Sequence, residues 1–308
     1  MNKQINIDLG RQRDWVWRGW QVRYTYLRSR SGQGHDNPPL ILVHGFGAAI
    51  AHWRYNLAVL SETHTVYAID LLGFGASRKA ATEYSIEFWV EQLYQFWSVV
   101  IGSPAILMGN SLGSLVSLTA SARHPEMAQG LILINLPDVS ARSEMLPPPV
   151  QKVVSGIESL FSAPWLLRGL FPILRSRSLI RRWAKIAYPK VSVLDEDLVE
   201  ILSTPPRDED AADAFVALVK SALNPRFGTS VKEMLPRLTI PILLLWGERD
   251  RMIPPTLARS LANLNPDLKL VMLPELGHCP HDECPDQFHE TILPWLQRLN
   301  TITENQNS

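Results

Sequence analysis

Ser111 stands in the run Gly109-Asn110-Ser111-Leu112-Gly113, between the short apolar run Ala105–Met108 and the helix-prone, small-residue run Leu112–Arg123. A serine hydroxyl is a poor nucleophile at neutral pH and needs a base to take its proton. A histidine held in one tautomer by a buried carboxylate supplies such a base. The chain offers both partners further on. Asp250 closes Trp246-Gly247-Glu248-Arg249-Asp250 after the apolar run Leu238–Trp246, and His278 closes Glu275-Leu276-Gly277-His278 after the run Leu268–Leu273. Attack by Ser111 on a carbonyl, with His278 moving the proton and Asp250 orienting the imidazole, is the chemistry these types support. The developing oxyanion then needs two backbone N–H donors. Leu112, next after the nucleophile, supplies one, and Phe46 in His44-Gly45-Phe46-Gly47 after the run Leu40–Val43 supplies the other. Gly45 and Asn110 adjoin these donors and are candidate substrate contacts.

The same residue types admit other readings. Asp138, after the apolar run Gly130–Asn135, competes with Asp250 for the acid role, and the position of Asp250 favours it. Asp70 precedes Ser111 and heads the glycine-punctuated loop Asp70–Ser77, so bracing that turn is its expected task; His44 is expected to be structural or at the pocket wall. His278, Cys279, His281 and Cys284 are dense enough to suggest zinc, but no second Cys/His pair completes a known spacing, and Pro280 and Pro285 stiffen the segment. No metal and no cofactor is expected. His281 and Asp282 read as a polar turn opening the last helix.

The elements that must position these groups follow from hydrophobic periodicity. Trp20, Val22, Tyr24 and Tyr26 alternate with polar residues, which predicts a half-buried strand in an edge hairpin with Trp15 and Trp17. The run at 40–43 is continuously apolar, as in a strand covered on both faces, and the mainly apolar stretches 65–69, 105–108, 130–135, 238–246 and 268–273 read as further strands. Helices are expected near 51–60, 85–101 with Ser85 as cap, 112–123, 255–263 and 285–299. Strands alternating with helices imply a mostly parallel sheet with helices on both faces, and ligands then bind beyond the carboxyl ends of the strands. From Pro137 to Phe227 the strand rhythm stops, and prolines such as Pro164, Pro172 and Pro189 divide helical pieces. Residues 1–136 and 228–299 therefore read as one core, 137–227 as a helical cap inserted into it, and 300–308 as a disordered tail.

The His-Gly-Phe-Gly loop, the Asp70–Ser77 segment, the Gly-Asn-Ser-Leu-Gly turn, the acid loop and the terminal Gly-His resemble, in order and spacing, those of α/β-hydrolase-fold serine hydrolases. The resemblance runs from Trp20 to Leu299 and implies Ser111, Asp250 and His278 as a catalytic triad. Asn110 departs from the histidine many members carry before the nucleophile. A serine at 111 sets the chain apart from the dehalogenase and epoxide hydrolase branches, which use aspartate there. The turn and the run Gly277–Glu283 are similar to the pheophytinase and dephytylase-related hydrolases of photosynthetic organisms.

The first half of the insertion, including Phe161, Trp165, Leu166, Leu167, Leu170, Phe171 and Leu174, is apolar beyond what packing alone calls for, and predicts a greasy roof over Ser111 with Phe161 and Trp165 as substrate contacts. The expected substrate is a small-molecule carboxylic ester with a long or bulky apolar group. A carbon–carbon bond hydrolase, or a slow-turnover receptor of the same fold, is the alternative. Cations at 168–190 precede acids at 195–213, which reads as a solvated face or as a basic, apolar surface for an anionic membrane. Thirty basic and thirty acidic residues among 308, with 46% hydrophobic and 19% charged content, describe an ordinary globular chain and argue against nucleic acid as a partner. Met1–Gly10 lacks a signal-peptide core, and no run approaches the ~18 apolar residues of a spanning helix, so a cytoplasmic protein, peripheral at most to an internal membrane, is expected. Monomer or weak dimer is the expected state, with Cys279 and Cys284 as reduced thiols.

Overall fold

The computed structural model describes residues 8–30, 37–138, 164–224 and 227–307. Eight strands form one sheet in the order β1-β2-β4-β3-β5-β6-β7-β8. They are β1 (Arg11–Trp17), β2 (Trp20–Leu27), β3 (Leu40–Val43), β4 (Val66–Ile69), β5 (Ala105–Asn110), β6 (Ala128–Ile134), β7 (Ile242–Gly247) and β8 (Leu268–Leu273). β2 runs antiparallel to β1 and β4, and β3 to β8 pair in parallel, so the sheet is mostly parallel with an N-terminal antiparallel hairpin, as expected.

The continuous apolar runs have a direct physical cause. Successive side chains of a strand point to opposite faces, and both faces of this sheet are covered. Ile41, Val43, Leu107, Leu131, Leu133, Leu244 and Trp246 enter one core cluster with α2 (Ile86–Phe96), α3 (Leu112–Arg123) and α9 (Thr256–Ala262). Leu40, Leu42, Ile106, Met108, Ile132, Leu243 and Leu245 enter the other, with α1 (Leu57–Leu60) and α11 (Pro285–Asn307).

Four helices, α4 (Pro164–Leu174), α5 (Arg177–Ala187), α6 (Glu196–Ser203) and α7 (Ala211–Ala222), lie between β6 and β7, before the short α8 (Val231–Met234). Phe161 lies outside the described residues. Pro172 falls inside α4 rather than between helices. The segment near 51–60 is a 3-10 turn, Ile50–Trp53, followed by α1, and the helix capped by Ser85 ends in the π turn Trp97–Ile101. α10 (Pro280–Glu283) precedes α11, which passes Leu299 and runs to Asn307, so the tail is helical where disorder was expected. Residues 300–307 contain no Gly or Pro to stop the helix, and Asn300 Nδ2 lies 3.3 Å from His64 Nε2, tying the extension to the core.

Candidate active site

The Gly109–Gly113 turn forms where β5, buried along its whole length, hands over to α3. Ser111 adopts φ 53° and ψ −116°, a left-handed conformation that costs an L-residue about 1–3 kcal/mol and persists only where the surroundings impose it. They do so closely. A Cβ on Gly109 would lie 2.2 Å from the Gly113 carbonyl oxygen, and one on Gly113 would lie 2.0 Å from that of Val43. Ser111 N donates to Ile134 O at 2.8 Å, and Ser114 Oγ bridges Gly109 O (2.6 Å) and the Ile134 N–H (2.8 Å). Ser114 is thus a brace that the sequence did not single out.

The loop after β3 runs against this turn. A Cβ on Gly45 would sit 3.0 Å from Asn110 Oδ1 and 3.5 Å from Ser111 Cβ, which explains the glycine. His44 is buried; its Nδ1 contacts Gly45 O at 2.7 Å while Nε2 accepts from the Leu71 N–H at 3.1 Å. Those roles require the neutral Nδ1–H tautomer, and burial lowers the His44 pKa in agreement, so the residue is structural. Asp70 accepts from Ile50 N and Ala76 N, both at 2.7 Å, and thereby braces the glycine loop.

Asp250 and His278 meet although their loops are separate. Asp250 Oδ2 accepts from His278 Nδ1 at 2.8 Å, while Oδ1 accepts from the Met252 and Ile253 N–H groups at 2.7 and 3.0 Å. An ionised carboxylate only accepts, so the imidazole carries its proton on Nδ1 and leaves Nε2 as a lone pair. Asn135, at the end of β6 with φ 50°, donates from Nδ2 to Asp250 Oδ2 and to Gly277 O (3.3 Å), joining the acid loop to the histidine loop. Asparagine is among the side chains that tolerate positive φ, but nothing in the sequence marks Asn135 as the link between these two loops. Asp138 lies elsewhere: its Oδ1 accepts from Val231 N at 3.5 Å.

The backbone of His278 is held from two sides. Its carbonyl accepts from Asn110 Nδ2 at 3.0 Å, which ties the histidine loop to the turn bearing Ser111, and its N–H donates to Ala187 O at 2.8 Å, at the end of α5. Glu283 accepts from Gly277 N (2.6 Å) and from Lys190 N (3.0 Å), fastening the same loop to the chain after α5. His281 and Asp282, read from sequence as a polar turn, are fully buried instead. Asp282 Oδ1 pairs with Arg54 Nη1 at 2.6 Å, its Oδ2 accepts from the Tyr188 hydroxyl at 2.8 Å, and that hydroxyl meets His52 Nε2 at 2.5 Å. Burial raises the Asp282 pKa to about 6 against the pull of Arg54, and burial with Arg54 nearby lowers that of His52 to about 3. Cys279 Sγ lies 3.9 Å from Asn110 Oδ1, and the His281 ring packs at 4.3 Å from Trp53, so both serve this packed layer.

Beyond the loops, a cavity of about 250 Å³ opens between the core and the inserted helices. Phe46, Phe74, Phe171, Leu174, Phe215 and Leu218 supply its apolar wall, and Lys79 and Arg175 reach it. Lys79 is satisfied by Asp208 at 2.9 Å and by the Gly75 and Ser77 carbonyls. Trp165, expected in this wall, is 74% exposed. It lies on the face of α4 opposite Leu167 and Phe171, which are buried, so the helix phase turns it to solvent.

Residues 40–291 match the profile of the alpha/beta hydrolase family, and the chain belongs to that family. Its relatives include a 2-hydroxy-6-oxo-6-(2'-aminophenyl)hexa-2,4-dienoic acid hydrolase of Metapseudomonas resinovorans, 24% identical over 92% of this chain and 90% of that one. The chloroplastic pheophytinase of Arabidopsis thaliana is 26% identical over 86% of this chain and 62% of its own length. Among solved structures, a serine hydrolase involved in carbazole degradation superposes with a TM-score of 0.74 at 22% identity, covering 93% of this chain and 98% of that one.

Proposed function

We propose that the protein is a serine hydrolase that cleaves a carboxylic ester with a long or bulky apolar group. Ser111 attacks the carbonyl, His278 Nε2 takes its proton and returns it to the leaving alcohol, and Asp250 orients and stabilises the imidazolium. The N–H groups of Phe46 and Leu112 hold the oxyanion, and losing one such donor costs roughly 10²–10³ in rate. Water then releases the acyl-enzyme by the same proton route. The observation that carries this reading is the Asp250–His278 hydrogen bond at 2.8 Å, tied through Asn110 to the turn that holds Ser111 in its left-handed conformation.

The apolar cavity beside Phe46 supports a substrate with a substantial hydrocarbon part, since each methylene buried there contributes about 0.8 kcal/mol. The likeness to pheophytinase places phytyl-type esters among those worth testing. A fluorophosphonate probe should label Ser111, and wild type should turn over an ester panel graded by chain length, phytyl esters included, at rates rising with length. Ser111→Ala should lose roughly 10⁵-fold or more in kcat while its melting curve stays in place. Full turnover by Ser111→Ala would overturn the assignment, and no preference along the panel would remove the apolar group.

One observation favours a second reading. Arg175 lines the cavity with Pro206 O at 3.4 Å and the Phe171 ring as its contacts, and no carboxylate pairs with it among the described residues. That cation would suit an acid-bearing substrate like the dienoic acid named for the Metapseudomonas relative, cleaved at a carbon–carbon bond. Arg175→Met should then slow acidic substrates and leave neutral esters alone.

A further inference from the structure

Helix α5 presents two apolar faces, and the fold covers only one of them. Ile180 lines the cavity, and Ala184 and Ala187 are buried, which accounts for the inward face. Leu179, Trp183 and Ile186 follow at i, i+4 and i+7 and so share a second stripe along the same helix. Trp183 is 60% and Ile186 38% exposed, at positions where a surface helix ordinarily carries polar side chains. Helix α4 adds Ile173, exposed like Trp165.

The cations of α5 divide in the same way. Arg177 and Arg181 turn to α6, where Arg177 meets Glu196 at 2.9 Å and also contacts Glu200, and Arg181 pairs with Glu196. Arg182 and Lys185 are exposed, each one residue before a member of the outer stripe, and no carboxylate pairs with them among the described residues. An indole beside aliphatic side chains, flanked by free cations, matches the boundary between acyl chains and phosphate groups of a lipid surface. Acidic side chains that would repel such a surface are absent from α5 itself, and on α6 Glu196 and Glu200 are occupied by Arg177 and Arg181, which leaves Asp197 as the exposed acid of that helix.

We infer that α5 docks on an anionic lipid bilayer, with Trp183 and Ile186 entering the headgroup region and Arg182 and Lys185 facing lipid phosphates. Because Ile180 lies on the adjoining face of the same helix, the wall of the cavity and the docking stripe are one element. A lipophilic ester held in the bilayer would then leave it beside the cavity. The docking itself does not depend on the hydrolase reading; only this consequence does.

The test uses the full chain and sedimentation with vesicles of phosphatidylcholine alone or mixed with phosphatidylglycerol. Wild type should bind the mixed vesicles, weaken with added salt, and bind pure phosphatidylcholine far less. Arg182→Glu with Lys185→Glu should lower partitioning by about tenfold or more, and Trp183→Ser with Ile186→Ser should do so at any salt concentration. Both double variants should keep wild-type turnover of a dissolved short-chain ester, which also shows that they fold. Failure of every form to bind, equal binding to both vesicles, or wild-type binding by both variants would overturn the proposal; self-association lost in the stripe variants would assign the face to a second copy of the chain. A wild type that binds vesicles but cleaves no ester would sink the hydrolase reading and leave the docking intact.

Discussion

Gly113 and Gly169 both sit inside helices, yet a methyl group added to each meets a different fate. At Gly113, in the first turn of α3, it would lie 2.0 Å from the Val43 carbonyl oxygen; at Gly169, in α4, it would meet nothing within 4 Å. The difference extends to the regions around them. The turn bearing Ser111 and the loops bearing Asp250 and His278 are cross-bonded by Asn110 and Asn135, and Ser114 braces the turn against β6; all three side chains are buried. The inserted helices instead leave Trp165, Ile173 and Trp183 in solvent and hold themselves in part by exposed ion pairs such as Arg177–Glu196, which solvent screens. Geometry is therefore specified to a fraction of an ångström where bonds would be made and broken, and loosely where a substrate's apolar part would rest. Change on the core side should act on rate, and change on the insertion should act on selectivity.

The largest effect that would bear on this contrast is expected at Asp250. Asp250→Asn keeps the shape but turns an amide toward His278 Nδ1, which favours the wrong tautomer; kcat should fall by roughly 10⁴ with KM little changed. A loss shared equally between kcat and KM would mean that the carboxylate serves binding as well. Next comes the glycine pair itself. Gly113→Ala forces backbone to move and should cost more than about 4 kcal/mol, whereas Gly169→Ala should be neutral or add about 0.5–1 kcal/mol by its helix propensity. Urea unfolding of both variants measures the difference, and similar values for the two would break the comparison.

On the insertion side, Phe215→Trp adds bulk to the cavity wall opposite Phe171, whose ring centroid is 5.2 Å away. It should lower the ratio of kcat/KM for long against short esters by roughly tenfold to a hundredfold, with short-ester turnover kept. Equal losses across the panel would show that the cavity wall acts on the chemistry.

The same contrast explains what could be read from the chain. The sheet was legible because strands covered on both faces read as continuous apolar runs, as at Leu40–Val43. The loop of Asp250 was legible because it follows such a run directly, and that of His278 because it follows the largely apolar edge strand β8. Trp165 was misplaced because α4 carries apolar side chains beyond its buried face, so an apolar residue type alone does not say which side faces the core. Asn135, Tyr188 and Asp282 carry bonds that no local pattern announces: Tyr188 and its partner His52 are 136 residues apart. Asp282 reads with His281 as a polar turn opening the last helix, where carboxylates are mostly exposed, and the buried Arg54 is what reverses that expectation.

His52 offers the smallest effect and a signed one. It lies in the layer that fastens the inserted chain at Tyr188 to the core at Asp282. Its pKa falls from an ordinary 6.5 to about 3 in the folded protein, chiefly through burial, so between those values the unfolded chain binds a proton that the folded one refuses. Stability therefore rises with pH across that window and is lost as pH drops from 6.5, by about 1 kcal/mol per unit from this group. Asp282 opposes it. With its pKa raised to about 6, the folded protein takes up a proton before the unfolded one does, which adds stability as pH falls from about 6 toward 4. His52→Gln keeps a partner for the Tyr188 hydroxyl while removing the titration, so urea midpoints measured from pH 7 to pH 5 should fall less steeply than in wild type. An unchanged slope would mean that the layer opens and hydrates before His52 titrates, placing the junction with the insertion on the loose side of the comparison.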